Sequence, residues 1–238
     1  YAGMVHHKMH DIEWTALGTP PHEDKVERQL RPVSTAATLN LAATAAQAAR
    51  VWKTFDKAFS DRCLTAAEKA WKAAKANPSK LYLKTDDKGG GPYDDKDVSD
   101  EFYWAAAELF VTTGKPEYKD ELTQSKYDKE MPAFEGGEDS NASAMSWGKV
   151  DALGRISLAV VPSKLSTKER DVYRQQITKV ADTYLKLQSE QGYKLPFRPG
   201  KDGYPWGSNS FVLNNALIIA LSYDFAKDEN RLNGVVEA

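Results

Sequence analysis

Phe211-Val212-Leu213-Asn214-Asn215-Ala216-Leu217-Ile218-Ile219-Ala220-Leu221 is apolar around nearly its whole circumference, interrupted only by two adjacent amides. A surface helix confines its apolar residues to one stripe, so this run predicts a helix, 210–225, enclosed by other helices. Directly before it stands Tyr204-Pro205-Trp206-Gly207-Ser208-Asn209. Proline fixes one φ angle and glycine frees another, so the backbone aims Trp206. The stretch reads as the rim of a binding site leading into a buried helix.

Outward from this point the chain is organised in pairs. Residues 1–33 read as extended and loop-like, because Pro20-Pro21 and Arg31-Pro32 bar helix until Ser34 or Thr35 can act as an N-cap. An Ala-rich helix at 35–55 carries no charge before Arg50, whereas the next, 60–77, sets Leu64, Ala67, Trp71 and Ala74 on one face. The same alternation recurs three times: apolar 100–113 before charged 116–131, 143–161 before 166–191, and 211–225 before 229–238. Four hairpins pairing an inner apolar helix with an outer amphipathic one are what a toroid requires, since only its inner ring is enclosed. The predicted fold is all-α, an α/α barrel, with 1–238 forming part of a single module and 1–33 its lead-in. A stacked solenoid would need a shared period, and these hairpins differ in length. The loops 82–99, 131–141 and 191–207 each run from an outer helix to an inner one and so share an end, where function is expected.

Formal net charge is -2 with acids and bases interleaved; neither nucleic acid nor an anionic membrane finds an electrostatic footprint. The single Cys63 excludes an internal disulfide and a cysteine-based zinc site. No apolar run reaches the roughly 18 residues that span a bilayer. The chain starts at Tyr1-Ala2-Gly3, with neither an initiator Met nor a basic-then-apolar leader.

Three further stretches belong together: Ser34-Thr35-Ala36-Ala37-Thr38-Leu39-Asn40, then Gly91-Pro92-Tyr93-Asp94-Asp95-Lys96-Asp97-Val98-Ser99-Asp100-Glu101-Phe102-Tyr103-Trp104, then Ala142-Ser143-Ala144-Met145-Ser146-Trp147-Gly148. With Tyr204 to Asn209 they follow the order of motifs in glycoside hydrolase family 9, which this sequence resembles from about Gly3 to its last helix. That family consists mostly of cellulases built on six helical hairpins. The resemblance implies a secreted protein that cleaves β-1,4-glucan with inversion. Such an enzyme needs a carboxylate base and a carboxylic acid roughly 6.5–9.5 Å apart. The family's Asp-Ala-Gly-Asp base motif, its C-terminal catalytic Glu and its His-x-Arg clamp do not occur here, and Glu237 stands in the wrong context to replace the acid. The sequence therefore reads as an internal segment of about four hairpins, truncated at both ends, with no catalytic residue of its own and inactive alone. Its partners are the glucan and the remaining parts of the module.

Sugar rings present flat C–H faces that pack on indole and phenol rings. Trp206 and Trp147 both stand where a loop enters an inner helix and match the family's pattern, so they are the first substrate-binding candidates. Tyr93 follows Gly89-Gly90-Gly91-Pro92 and corresponds to a family position lining the cleft; Tyr204 and Trp14 complete the set. Trp14 could equally staple the N-terminal segment down, Trp104 could serve core or wall, and Trp52 and Trp71, within helices, are assigned to the core.

Asp94, Asp95, Asp97, Asp100 and Glu101 form an acidic cluster at a helix start. Calcium takes six to eight hard oxygen ligands, which such a loop supplies, but the EF-hand pattern fails: counted from Asp95, Asp100 falls where Gly is required and Ala106 where Glu is. Acids in a first helical turn also favour the dipole without any metal, with Ser99 as N-cap. The resemblance implies structural calcium at Asp100 and Glu101, with Asp97 and with Asp151 from the following inner helix; no organic cofactor is implied. His6 and His10 share a strand face about 13 Å apart at ~3.3 Å per residue, too far for one ion. Two alternatives to the cellulase reading stand: a non-catalytic helical carbohydrate-binding protein, and an α/α-barrel hydrolase of another β-glycan.

Overall fold

The computed structural model of the chain describes residues 2–82, 88–137 and 139–237. Part of the predicted loop 82–99, one residue of the loop 131–141 and the final residue of the predicted helix 229–238 lie outside the described residues. Two compact units are present, Tyr1–Ala105 and Ala106–Ala238.

In the first unit the lead-in folds into two small antiparallel ribbons. β1 (Val5–His6) pairs with β4 (Val33–Ser34), and β2 (Met9–Asp11) pairs with β3 (Arg28–Leu30). Ser34 then caps α1 (Thr35–Trp52), its side chain accepting from the Ala37 N–H, and Val5 N donates to Thr38 Oγ1 at 3.0 Å, binding strand to helix. α2 (Lys57–Ala76) starts three residues earlier than periodicity predicts because the Asp56 carboxylate caps it through the Phe59 N–H. α1 and α2 pack as a hairpin on buried alanines, among them Ala42, Ala46, Ala67 and Ala74. Trp71 is buried and meets Phe102 edge-on, ring centroids 5.8 Å apart. Trp52 is not core: it ends α1, half exposed, beside Phe55 and Phe59. α3 (Ser99–Thr113) opens in this unit and closes in the second.

The second unit continues with α4 (Pro116–Gln124), α5 (Lys126–Lys129), α6 (Asp151–Val160), α7 (Thr167–Glu190), α8 (Asn209–Ala226) and α9 (Glu229–Glu237). The predicted helix 116–131 breaks at Ser125, whose hydroxyl accepts from the Tyr127 N–H while its backbone turns extended. Such local side-chain bonds compete with the helix ladder. A Ser166–Glu169 capping box starts α7, whose periodic stripe buries Tyr173, Ile177, Val180 and Tyr184 and leaves Leu187 only half-buried. α8 packs against α7 and α9 and buries Phe211, Ile218 and Ile219. The expectation that α8 is enclosed on every side fails, because Leu213 is 67% exposed and Leu217, one turn on, is also exposed. No helix among the described residues is long and apolar enough to cross a membrane.

Candidate functional site

The second unit builds its site from two loops and the start of α8. The predicted helix 143–161 begins only at Asp151. Before it, Ser143 Oγ donates to the Met145 carbonyl, and Ser146 and Lys149 exchange backbone hydrogen bonds of 3.0 and 3.2 Å, leaving Trp147 and Gly148 at the tip of a tight turn. Trp147 is therefore 64% exposed. Trp206 occupies a second turn, closed by Ser208 N donating to the Pro205 carbonyl; Gly207 adopts a φ of 75°, as a glycine can, and the indole is 98% exposed. Tyr204 is exposed too, its ring 5.9 Å from that of buried Phe197, which in turn meets Phe211 of α8.

The two amides that interrupt α8 tie the loop before Trp147 to α8 and to Pro196. Asn215, wholly buried, donates to the carbonyls of Ala142 and Pro196 at 2.6 and 2.8 Å and accepts from the Ala144 N–H at 3.3 Å. Asn214 donates to the Met145 carbonyl at 3.1 Å. In the sequence they stand as an interruption of an apolar run, and that interruption is itself the signal, since a buried polar group must be hydrogen-bonded. Further along, Ala142 N donates to the Arg198 carbonyl, Lys201 N to that of Asp139, and Gly200 N to Asn141 Oδ1. The loops 131–141 and 191–207 thus meet, as their common connectivity predicts. Between them lies a hollow of about 520 Å³ lined by Gly136, Ser140, Asn141, Gly203 and Pro205 among others.

In the first unit, Tyr93 is exposed and sits in the left-handed region at φ 50°. Trp14 is exposed, and Trp104 is half-buried. The acidic cluster brings carboxylate oxygens of Asp95, Asp100 and Glu101 within 4.8 Å of one another. Burial, followed by the neighbouring Asp100 charge, pushes the Glu101 carboxyl up to about 10, and burial raises Asp95 as well. Glu101 Oε2 is buried and finds no hydrogen-bond donor. Three crowded carboxyl groups, one with an unsatisfied oxygen, are a donor set that fits a hard divalent cation. Asp95 joins this group and Asp97 does not: Asp97 Oδ1 accepts from the Ser99 N–H, taking the capping role predicted for Ser99, whose own hydroxyl bonds nothing. Asp151 is wholly buried at the first position of α6, in the second unit.

Known proteins match this chain over nearly all of its length. It is 50% identical over 248 aligned positions to a cellulose 1,4-beta-cellobiosidase of Acetivibrio thermocellus, covering 98% of this chain and 28% of that protein. Endoglucanase C of Cellulomonas fimi is 42% identical, over 96% of this chain and 20% of its own length. The chain thus spans less than a third of either relative. The crystal structure of a metagenome-derived glycoside hydrolase family 9 endoglucanase superposes with a TM-score of 0.84 at 28% identity, covering 99% of this chain and 41% of that one. The all-α, α/α-barrel class predicted from the helix pairs is the class of that structure. The profile of Glycosyl hydrolase family 9 matches residues 2–238, and the chain belongs to that family.

Proposed function

We propose that the chain is the glucan-holding part of a β-1,4-glucanase acting on cellulose. The observation that carries this reading is the pair of exposed indoles, Trp147 and Trp206, each on a turn fixed by buried Asn215 or by a Pro-x-Gly frame. An exposed aromatic held rigidly loses little entropy when a pyranose face packs on it. Tyr93, Tyr204 and Trp14 contribute further ring faces. The proposed reaction is inverting hydrolysis, with both catalytic carboxylates supplied by chain outside these residues. The protein is proposed to act outside the cell, where a polymer such as cellulose is met.

Asp95, Asp100 and Glu101 would hold calcium, while Asp97 caps the start of α3 and Asp151 stands buried at the first position of α6. When bound, the ion supplies positive charge that offsets the mutual repulsion of the three carboxylates and fixes the loop entering α3. The chain's own residues do the rest: rings hold the glucan, and the hydrogen-bonded loops hold the rings.

A preparation containing only these residues should bind cello-oligosaccharides and release no reducing sugar. Loss of both proton transfers removes two contributions of about 10²–10⁴-fold each. Turnover by such a preparation would overturn the assignment of the catalytic groups, and failure to bind would overturn the glucan reading.

A further inference from the structure

His7 sits in a fully specified hydrogen-bond frame. Its Nε2 lies 2.9 Å from the backbone carbonyl of Tyr93, which can only accept, so Nε2 carries the proton. Nδ1 lies 2.8 Å from Ser34 Oγ and accepts from that hydroxyl, whose oxygen accepts in turn from the Ala37 N–H at the start of α1. The imidazole stacks on Tyr82, centroids 4.1 Å apart and planes 5° from parallel. Burial holds its pKa below the usual histidine value, the Tyr93 carbonyl acts against that and the Lys8 charge adds to it, so the ring is neutral at neutral pH.

Lys8 donates from Nζ to the Gly91 carbonyl and also lies over the Tyr82 ring, 5.6 Å from its centroid. The segment held in this way is conformationally expensive. Tyr93 has a φ of 50°, where the Cβ of an L-residue crowds the following carbonyl oxygen. A Cβ on Gly91 would stand 2.9 Å from Tyr93 Cε2, so the phenol ring lies against bare backbone. An unfavourable backbone angle persists only where its surroundings over-determine it.

We propose that His7 is a positioning residue for Tyr93: its Nε2–H anchors the Tyr93 carbonyl and so maintains the left-handed turn that presents the phenol ring to a pyranose face. The inference rests on the reading of Tyr93 as a glucan contact. Histidine suits the position because it combines a flat face for Tyr82, an acceptor for Ser34 and a donor for Tyr93 without a net charge. Phenylalanine keeps only the face, and glutamine keeps only the donor and acceptor.

The test is a double-mutant cycle on this chain, with cellotetraose titrated calorimetrically into wild type, His7→Phe, His7→Gln, Tyr93→Ala and His7→Phe/Tyr93→Ala, and Tm measured for each. Tyr93→Ala should weaken binding by about tenfold, His7→Phe by a similar factor, and the double variant no further, since residues acting through one contact are not additive. His7→Gln should recover most of the affinity, which a merely structural role for the ring would not produce. Wild-type binding by His7→Phe, or an equal loss in both Tyr93 backgrounds, would overturn the positioning role. Wild-type binding by Tyr93→Ala would overturn the glucan contact itself, and the role of His7 with it. Should His7→Phe fail to fold, His7→Gln in the two Tyr93 backgrounds decides the matter: a loss of affinity as large as that of Tyr93→Ala would overturn the proposal.

Discussion

Trp71 and Trp206 bracket what an indole does in this chain. The first is buried against Phe102 and the second lies almost wholly in solvent. Cutting a buried Trp to alanine costs about 3–5 kcal/mol. Trp206→Ala should therefore leave Tm within a degree or two while weakening cello-oligosaccharide binding, and Trp71→Ala should do the reverse; both are read by paired calorimetric and thermal titrations. A Trp206→Ala protein that melts far below wild type would mean that packing has been mistaken for recognition. For the acidic cluster, millimolar calcium should raise Tm relative to chelator, by about 2.7 kcal/mol of stability at a hundredfold excess over Kd. Glu101→Gln should abolish most of that rise, and an unchanged curve in the native protein would retire the site. At this scale Trp206 was legible because Pro205 and Gly207 announce its backbone. Trp52 was not, because a residue near a helix end reads like one in its middle until the end is placed.

Among the elements, α8 and α7 carry the most specific expectations. Asn215→Leu leaves the carbonyls of Ala142 and Pro196 and the N–H of Ala144 without their partner, and buried unsatisfied groups cost about 1–3 kcal/mol each. Denaturant unfolding should show a loss of at least about 3 kcal/mol, and oligosaccharide affinity should fall as the Trp147 turn loosens. At the start of α7, Ser166→Ala should cost about 1 kcal/mol through the lost cap. Glu169 completes that box, and its hydrogen bond from Lys119, then those from Ser166, lower its pKa from 4.5 to about 2. Its folded pKa is depressed, so its contribution is present above about pH 4.5 and is lost as pH falls towards 2. The Tm difference between wild type and Glu169→Gln should accordingly shrink to nothing across that window. Apolar periodicity located the long helices of both units, but not the loop 143–150. There Ser143, Ser146 and two amides from α8 supply hydrogen bonds that outcompete the helix, and the α8 partners lie some 70 positions away in the chain.

For the molecule as a whole, family membership accounts for the helix hairpins and for the shared end of the loops that carry Trp147 and Trp206. The exposed Leu213 and Leu217 mark where enclosure, inferred from an apolar run, was not met by the residues described. A continuous apolar run states that a helix has partners and is silent about which chain segment supplies them. The motifs revealed the family because they recur in order, whereas the roles of Asn215 and His7 required three-dimensional placement. The central proposal is that this chain holds β-1,4-glucan on fixed aromatic turns. Its most direct test is isothermal titration of cellohexaose into the purified chain, side by side with Trp206→Ala/Trp147→Ala. The account predicts saturable binding by the wild type, sharply reduced in a double variant of unchanged Tm; equal binding by the two proteins, or none by the wild type, would contradict it.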